Sequence, residues 1–348
     1  MLCAPMAAVS DNPLPSKPPL YLKGGNILFV APLDPVDACL AAPALRALRN
    51  GRPNATVGVL FPDYQHALWE RVGKLDKLIG YPAKASARQL VPLLQLPRGE
   101  WESAFLWEPG EAAKAADRAG IAQRIGYPAK GLAKRLSEPV SIPEAPGPVA
   151  HRVRHYLMLM ERLGLPGFVP ESFATPGARG PETGTRLVVV PGSGFGPSHE
   201  WPVERFAAVI AELRARRPDL EILVMSEGNR PQAARALAGL VDTELFETTD
   251  LGHALDHLDR ASLLFGSDSL AGHLAAHLGL PAAVVFGPND PDWRRPLGRQ
   301  NTLLRHKVEC SPCLLAKCPL DLRCQLELSV TVVTEAVAAA LGRVTSGG

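Results

Sequence analysis

The sequence predicts an α/β protein built as two Rossmann-like, doubly wound domains in series, facing a central cleft. Three observations predict it. Short apolar runs alternate with helical patterns through both halves of the chain, as buried parallel strands and crossover helices do. A segment dense in Pro, Gly and Thr with no hydrophobic period, GLPGFVPESFATPGARGPETGT (164–185), separates the halves. Each half also carries polar loops where a strand gives way to a helix, the place where open α/β sheets hold ligands. At 348 residues the chain is long enough to bury two cores.

In the first half, NILFV (26–30) and TVGVLF (56–61) read as buried strands, with a helix at 44–49 between them. Residues 68–72 read as helical, 77–81 as extended, and 86–90 as helical until Pro92 interrupts. Short strands follow at 103–106 and 124–127, and a helix at about 151–163 closes this half. The second half predicts strands at 187–190, 221–225, 263–265 and 282–286. Its helices are expected at 203–216, 232–240, 270–278 and 332–341. The expected division is a disordered leader at 1–23, a first domain at 24–165, a linker at 166–185 and a second domain at 186–345.

Composition narrows the function. Hydrophobic residues make up 46% and charged residues 21%, as in a soluble globular protein. The net charge of +2 comes with no long basic run, so nucleic acid is not expected as a partner. The N-terminal apolar run is short, broken by Pro and lacks a basic start, so it does not read as a secretory signal. A cytoplasmic location, where thiols stay reduced, is the expectation.

Four loops carry candidate chemistry. In APLDPVDACLAAP (31–43), Asp34 and Asp37 follow the first strand. Either carboxylate there could cap a helix or act as a general base. PGSGFGPSHEWP (191–202) offers three glycines for close backbone approach, with Ser193, Gly194, Ser198 and His199 beside them; it lacks the GK[ST] of a P-loop. Ser267, Asp268 and Ser269 open a helix bearing His273 one turn on. Exposed N–H groups and the helix dipole make such a start a seat for phosphate, while Asp268 or Ser269 could equally be a plain cap. His273 and His277 stand four apart without the Glu of HExxH, which argues against a helical zinc pair. Cys310, Cys313, Cys318 and Cys324 form CSPCLLAKCPLDLRC, a spacing that suits structural zinc, an iron–sulfur cluster or a pair of labile disulfides.

Together APLDPVDACLAAPALRAL, VPGSGFGPSHEWPVERFAAV and GSDSLAGHLAAHLGLPAAVVFGPNDP resemble the three motifs of glycosyltransferase family 9, the ADP-heptose:lipopolysaccharide heptosyltransferases. The cysteine cluster is similar to the tail of many members. The resemblance implies a GT-B fold, with an acceptor-binding first domain and a nucleotide-sugar-binding second domain. It implies inverting, metal-independent transfer from a nucleotide sugar (ADP-heptose-like) to a glycolipid or glycan acceptor of the cell envelope. Peripheral contact with the inner membrane is implied by a lipid-linked acceptor. On the matching positions, Asp37 is the base that deprotonates the acceptor. Asp268, Ser269 and His273 meet the donor diphosphate, Ser193 and Gly194 lie in the second phosphate loop with His199, and Glu227 is near the ribose position. The family's basic residues before Trp-Pro are His199 and Glu200 here, and a Gly before the base is Val36. These positions favour a second function class, a catalytically silent relative that binds a nucleotide or glycan or scaffolds envelope assembly. A third reaction class, sugar-nucleotide epimerisation, needs no acceptor.

Overall fold

The computed structural model describes residues 20–95, 99–141, 150–181, 184–228 and 230–346. Of the expected leader, residues 1–19 lie outside these. Residues 20–23 depart from the expectation of disorder: Leu22 is 1% exposed in the first core, and the Lys23 N–H donates to Gln123 Oε1 at 2.9 Å.

The first sheet contains β1 (Asn26–Val30), β2 (Thr56–Pro62), β3 (Lys77–Tyr81), β4 (Ser103–Phe105), β5 (Gln123–Gly126) and β6 (Glu138–Pro139). The second contains β7 (Thr185–Val190), β8 (Leu220–Met225), β9 (Glu244–Phe246), β10 (Leu263–Ser267), β11 (Ala282–Phe286) and β12 (Thr302–Arg305). Both sheets are parallel, and both have the same winding: β3-β2-β1-β4-β5-β6 and β12-β11-β10-β7-β8-β9. The order reverses between β1 and β4 and again between β7 and β10. Loops leaving the carboxyl ends of those four strands diverge there and open a crevice.

The helix after β1 runs unbroken from Pro35 to Gly51, longer than the 44–49 expected from its pattern. Pro35 sits in its first turn, where a missing N–H costs nothing, and Pro43 is tolerated inside. Burial explains the tolerance: this helix is wedged between its own sheet and the second domain, with Leu40, Leu45 and Leu48 fully buried. Packing overrides the local penalty.

The core does not stop at the domain boundary. Phe29, Trp69 and Phe105 form one aromatic group, with ring centroids 6.0 and 6.2 Å from Phe29. The same apolar cluster continues through Leu68 to Leu255, Leu258 and Leu274 of the second domain. Each large apolar side chain buried there contributes about 1.5–3 kcal/mol. Polar ties reinforce the seam: Arg71 Nη2 lies 2.6 Å from Asp256 Oδ1, and His277 Nε2 lies 3.0 Å from the Leu68 carbonyl. The linker is packed as well. Pro170–Phe173 forms a 3-10 turn with Ser172 buried, and the Gly180 N–H donates to the Asp259 carbonyl. Among the described residues, no helix is long and apolar enough to cross a membrane.

Candidate active site

The two loops at the first sheet's reversal place a carboxylate group above β1. Asp34 is the N-cap of the helix Pro35–Gly51; its Oδ1 accepts from Val36 N at 2.8 Å and Asp37 N at 3.4 Å. Capping and chemistry are thus divided between the two aspartates, and Asp37 keeps its carboxylate free of the backbone. Val36 has an ordinary negative φ in that turn, so its bulk costs no backbone strain. Asp37 is held by Arg152, with Nη2 3.2 Å from Oδ2 and Nε 3.4 Å from Oδ1. From the second domain, Arg294 Nη2 reaches 2.9 Å from Asp34 Oδ2 and 3.6 Å from Asp37 Oδ1. After β4, Glu108 accepts the Leu33 N–H at 2.6 Å; burial raises its pKa, and the charges of Asp37 and Asp34 add to the rise. Burial and the Arg152 charge push His155 down to about 4, so the ring beneath Asp37 is neutral.

The opposite wall follows β7 and β10. Ser193 Oγ donates to the Asp268 carbonyl at 2.6 Å, which locks the two loops together. The Asp268 carboxylate is 1% exposed, accepts from Asn289 Nδ2 and lies 3.6 Å from His199 Nδ1. Phe195 joins the walls: its ring centroid is 5.6 Å from that of His199 and 5.5 Å from the Arg294 guanidinium. Arg294 therefore bridges the 191–202 loop and Asp37.

The loop is braced from behind by the cysteine-bearing segment. Gly196 has φ +127, and a Cβ there would meet the Ala316 carbonyl at 2.4 Å, so only glycine fits. Ser198 N–H donates to the Ala316 carbonyl at 3.2 Å and Gln325 Nε2 to the Ser198 carbonyl at 3.1 Å. Trp201, fully buried, donates its indole N–H to the Gln325 carbonyl at 3.0 Å.

The start of the helix Leu270–Leu278 is already satisfied, and by neither Asp268 nor Ser269. Glu227, at the end of β8, accepts from Leu270 N and Ala271 N, each at 3.0 Å. Burial of this carboxylate raises its pKa, against the lowering effect of the hydrogen bonds from Ala271 and Leu270. In the neighbouring loop, Glu200 accepts from Ser193 N at 3.2 Å and pairs with Arg230 at 3.4 Å. Two carboxylates thus occupy N–H groups that the sequence reading left open for phosphate. Replacing Glu227 with Ala is expected to lower stability by about 2 kcal/mol in denaturant unfolding, because two helix N–H groups lose their acceptor. Glu227→Gln, which keeps one acceptor oxygen, is expected to lose less.

His273 is 1% exposed, and among the described residues neither ring nitrogen has a hydrogen-bond partner. Burial, then the charges of Arg294 and His151, push its pKa down to about 3. It would meet an anion as a neutral N–H donor. The four cysteines 310, 313, 318 and 324 are free thiols; burial raises the pKa of Cys324, and the nearby Cys313, Cys310 and Cys318 add to the rise. Among the described residues, no group of three or more His, Cys, Asp or Glu side chains is arranged to hold a metal ion.

The structure brings Asp37 into one cleft with Ser193, His199 and Asp268, joined through Arg294 and Phe195. Arg152, Arg294, Glu108, Arg230 and Asn289 were not singled out from the sequence. The NDPDWRR run, which begins at the end of the third motif, was a signal for Asn289 and Arg294; the lone arginines at 152 and 230 carried none.

Two facing parallel Rossmann sheets with their order reversals turned to a shared cleft define the GT-B architecture. Within it, the resemblance to family 9 stands: residues 175–323 match the model of glycosyltransferase family 9 (heptosyltransferase). The chain is similar to lipopolysaccharide heptosyltransferase 1 of Pseudomonas aeruginosa, 28% identical over 132 residues, which are 38% of this chain and 37% of that protein. The match thus spans little more than a third of that relative's length. Among solved structures, a glycosyl transferase family 9 protein of Veillonella parvula superposes with a TM-score of 0.77 at 18% identity, covering 93% of this chain and 99% of that one. E. coli ADP-heptose lps heptosyltransferase II superposes with a TM-score of 0.72 at 18% identity, covering 91% and 99%.

Proposed function

We propose that the protein is an inverting glycosyltransferase that moves a heptose-like sugar from a nucleoside-diphosphate sugar to a hydroxyl of a lipopolysaccharide-core or other envelope glycan. The observation that carries this reading is the Arg294 bridge: one guanidinium lies 3.6 Å from Asp37 and 5.5 Å from the Phe195 ring of the donor loop. The named relatives supply the sugar class: an ADP-heptose enzyme and a lipopolysaccharide heptosyltransferase are similar to this chain.

In the proposed reaction the acceptor hydroxyl gives its proton to Asp37 as its oxygen attacks the anomeric carbon. The bond from that carbon to the diphosphate oxygen breaks on the opposite face, which inverts the centre. The leaving charge is met by Arg294, a permanent cation, and by loop N–H groups. The diphosphate takes those N–H groups by displacing Glu200 and Glu227, and Arg230, released from Glu200, becomes a second cation for it. Asp268, Ser269 and His273 complete the donor side in this proposal. No metal enters the chemistry.

One observation favours the second reading, a silent nucleotide- or glycan-binding relative: the two glutamates already fill the phosphate-binding N–H groups. A single experiment separates the two. Purified protein is given ADP-, UDP- and GDP-sugars with and without an envelope extract, and nucleotide release is followed alongside binding. Acceptor-dependent release, strongest with ADP-heptose, is expected; nucleotide binding with no release establishes the silent reading.

We also propose a structural zinc at Cys310, Cys313, Cys318 and Cys324, whose soft thiolates suit it. The thiols would have to close around the ion. Elemental analysis is expected to find one zinc per chain, lost in Cys310→Ser and Cys313→Ser. A metal-free protein of unchanged thermal stability would refute it.

A further inference from the structure

Beneath the helix that carries Asp37, the seam between the domains encloses a cavity of about 940 Å³. Its volume is that of a site for a small organic molecule. One wall is a single face of the helix Pro35–Gly51, at Cys39, Pro43 and Arg46. Facing it are His273, Ala276 and His277 of the helix Leu270–Leu278, and the linker turn and residues 295–301 close the remaining sides. Asp37, Ser193, Asp268 and Glu227 are not among its described walls; only His273 belongs to both places.

Two properties of the walls point to a ligand. The first is charge. Arg46, Arg295 and Arg299 line the cavity, and no carboxylate does among the described residues. The second is a set of buried polar atoms without partners among the described residues: Arg46 Nη2, both ring nitrogens of His273 and Nδ1 of His277. His273 and His277 are 1% and 5% exposed, so bulk water does not reach these atoms freely. Arg46 Nη2 and one nitrogen of the neutral His273 ring are donors, and each left unpaired costs about 1–3 kcal/mol that an oxyanion would relieve; His277 Nδ1 is an acceptor, because Nε2 of that neutral ring donates to the Leu68 carbonyl. Beside this polar end lie Phe168, Phe173 and Leu297, and the two phenylalanines are 43% and 38% exposed. The cavity is cationic at one end and apolar at the other.

We propose that this cavity is a second binding site, for a small organic anion with an apolar body. Its phosphate, sulfonate or carboxylate head sits between Arg46 and Arg299, and its body lies on Phe168, Phe173 and Leu297. Both domains and the linker contribute walls, so an occupant fixes their relative position and bears on the helix that begins beside Asp37. The site does not depend on the donor reaction proposed above.

The test is a fluorescence titration of the full chain with 8-anilinonaphthalene-1-sulfonate, an aromatic anion that brightens in apolar surroundings. Single-site binding is expected, competed by inorganic phosphate and unchanged in Asp37→Asn. It is expected to weaken at least about tenfold in Arg299→Glu, the scale of one lost charge-assisted contact. Arg299 is exposed, so its replacement leaves the fold intact, which a circular dichroism melt verifies. Arg46→Met supplies a second variant from the opposite wall, with the same weakening expected. Absence of binding, or wild-type binding in both arginine variants, would overturn the proposal. Displacement of the probe by ADP without any response to Arg299→Glu would also overturn it, by placing the probe in the cleft.

Discussion

Asp37→Asn is expected to cut sugar transfer by about 10²–10⁴-fold, the contribution of a positioned general base. The substitution keeps the size of the side chain and one acceptor oxygen, so contacts to Arg152 and Arg294 survive in part. It removes the group that takes the acceptor's proton. Donor affinity should change little, because among the donor-side groups proposed above only Arg294 touches Asp37, and Asn keeps an oxygen for it. Unfolding should be unchanged as well, because the helix is capped by Asp34 and not by Asp37. Turnover, donor binding and unfolding measured on one preparation check all three. Wild-type turnover in the variant would remove Asp37 from the mechanism.

Arg294→Met is expected to lower turnover by about 10²–10³-fold, the loss seen when one preorganised donor to a developing oxyanion is removed. Met retains the packing on Phe195 and Trp293, whose rings lie 5.5 and 6.0 Å from the guanidinium, so the effect isolates the charge. Arg294→Lys should recover only part of the loss, because an ammonium restores the charge without the planar fork. The comparison separates electrostatics from architecture. If Met and Lys variants were equally impaired, the geometry of the fork would be what matters; if Met were fully active, Arg294 would be a structural tie alone.

The strands buried on both faces were the most legible part of the fold. β1, β3 and β11, and the helices Val203–Arg216 and Leu270–Leu278, match the expected bounds residue for residue. β1 and β11 are continuous buried apolar runs and Leu270–Leu278 is buried nearly all round, while β3 is a partly buried edge strand. β9, β12 and the helices Glu111–Arg118 and Leu251–Asp259 were missed. The two strands are three and four residues long at sheet edges, and Glu111–Arg118 buries its alanines against a mostly polar remainder. At the site, the loops were legible because strand-to-helix junctions with Gly, Ser and Asp have local signatures. Arg152 and Arg294 were not, because an arginine gains its role from a carboxylate 115 or more positions away. The same limit hid the capping role of Glu227, which the resemblance placed only near the ribose position, because its hold on a helix 43 positions onward leaves no trace in local spacing.

The brace behind the donor loop has a consequence for how this surface can change. Gly196, Ser198 and Trp201 take their positions from Ala316 and Gln325, more than a hundred residues downstream. This wall of the cleft is thus a two-part casting, with the visible half shaped by a hidden mould. Grafting residues 191–202 alone from a relative would import a loop without its support. Moving them together with residues 310–325 would transplant a recognition unit, and specificity in such chimaeras should follow the pair and not the loop.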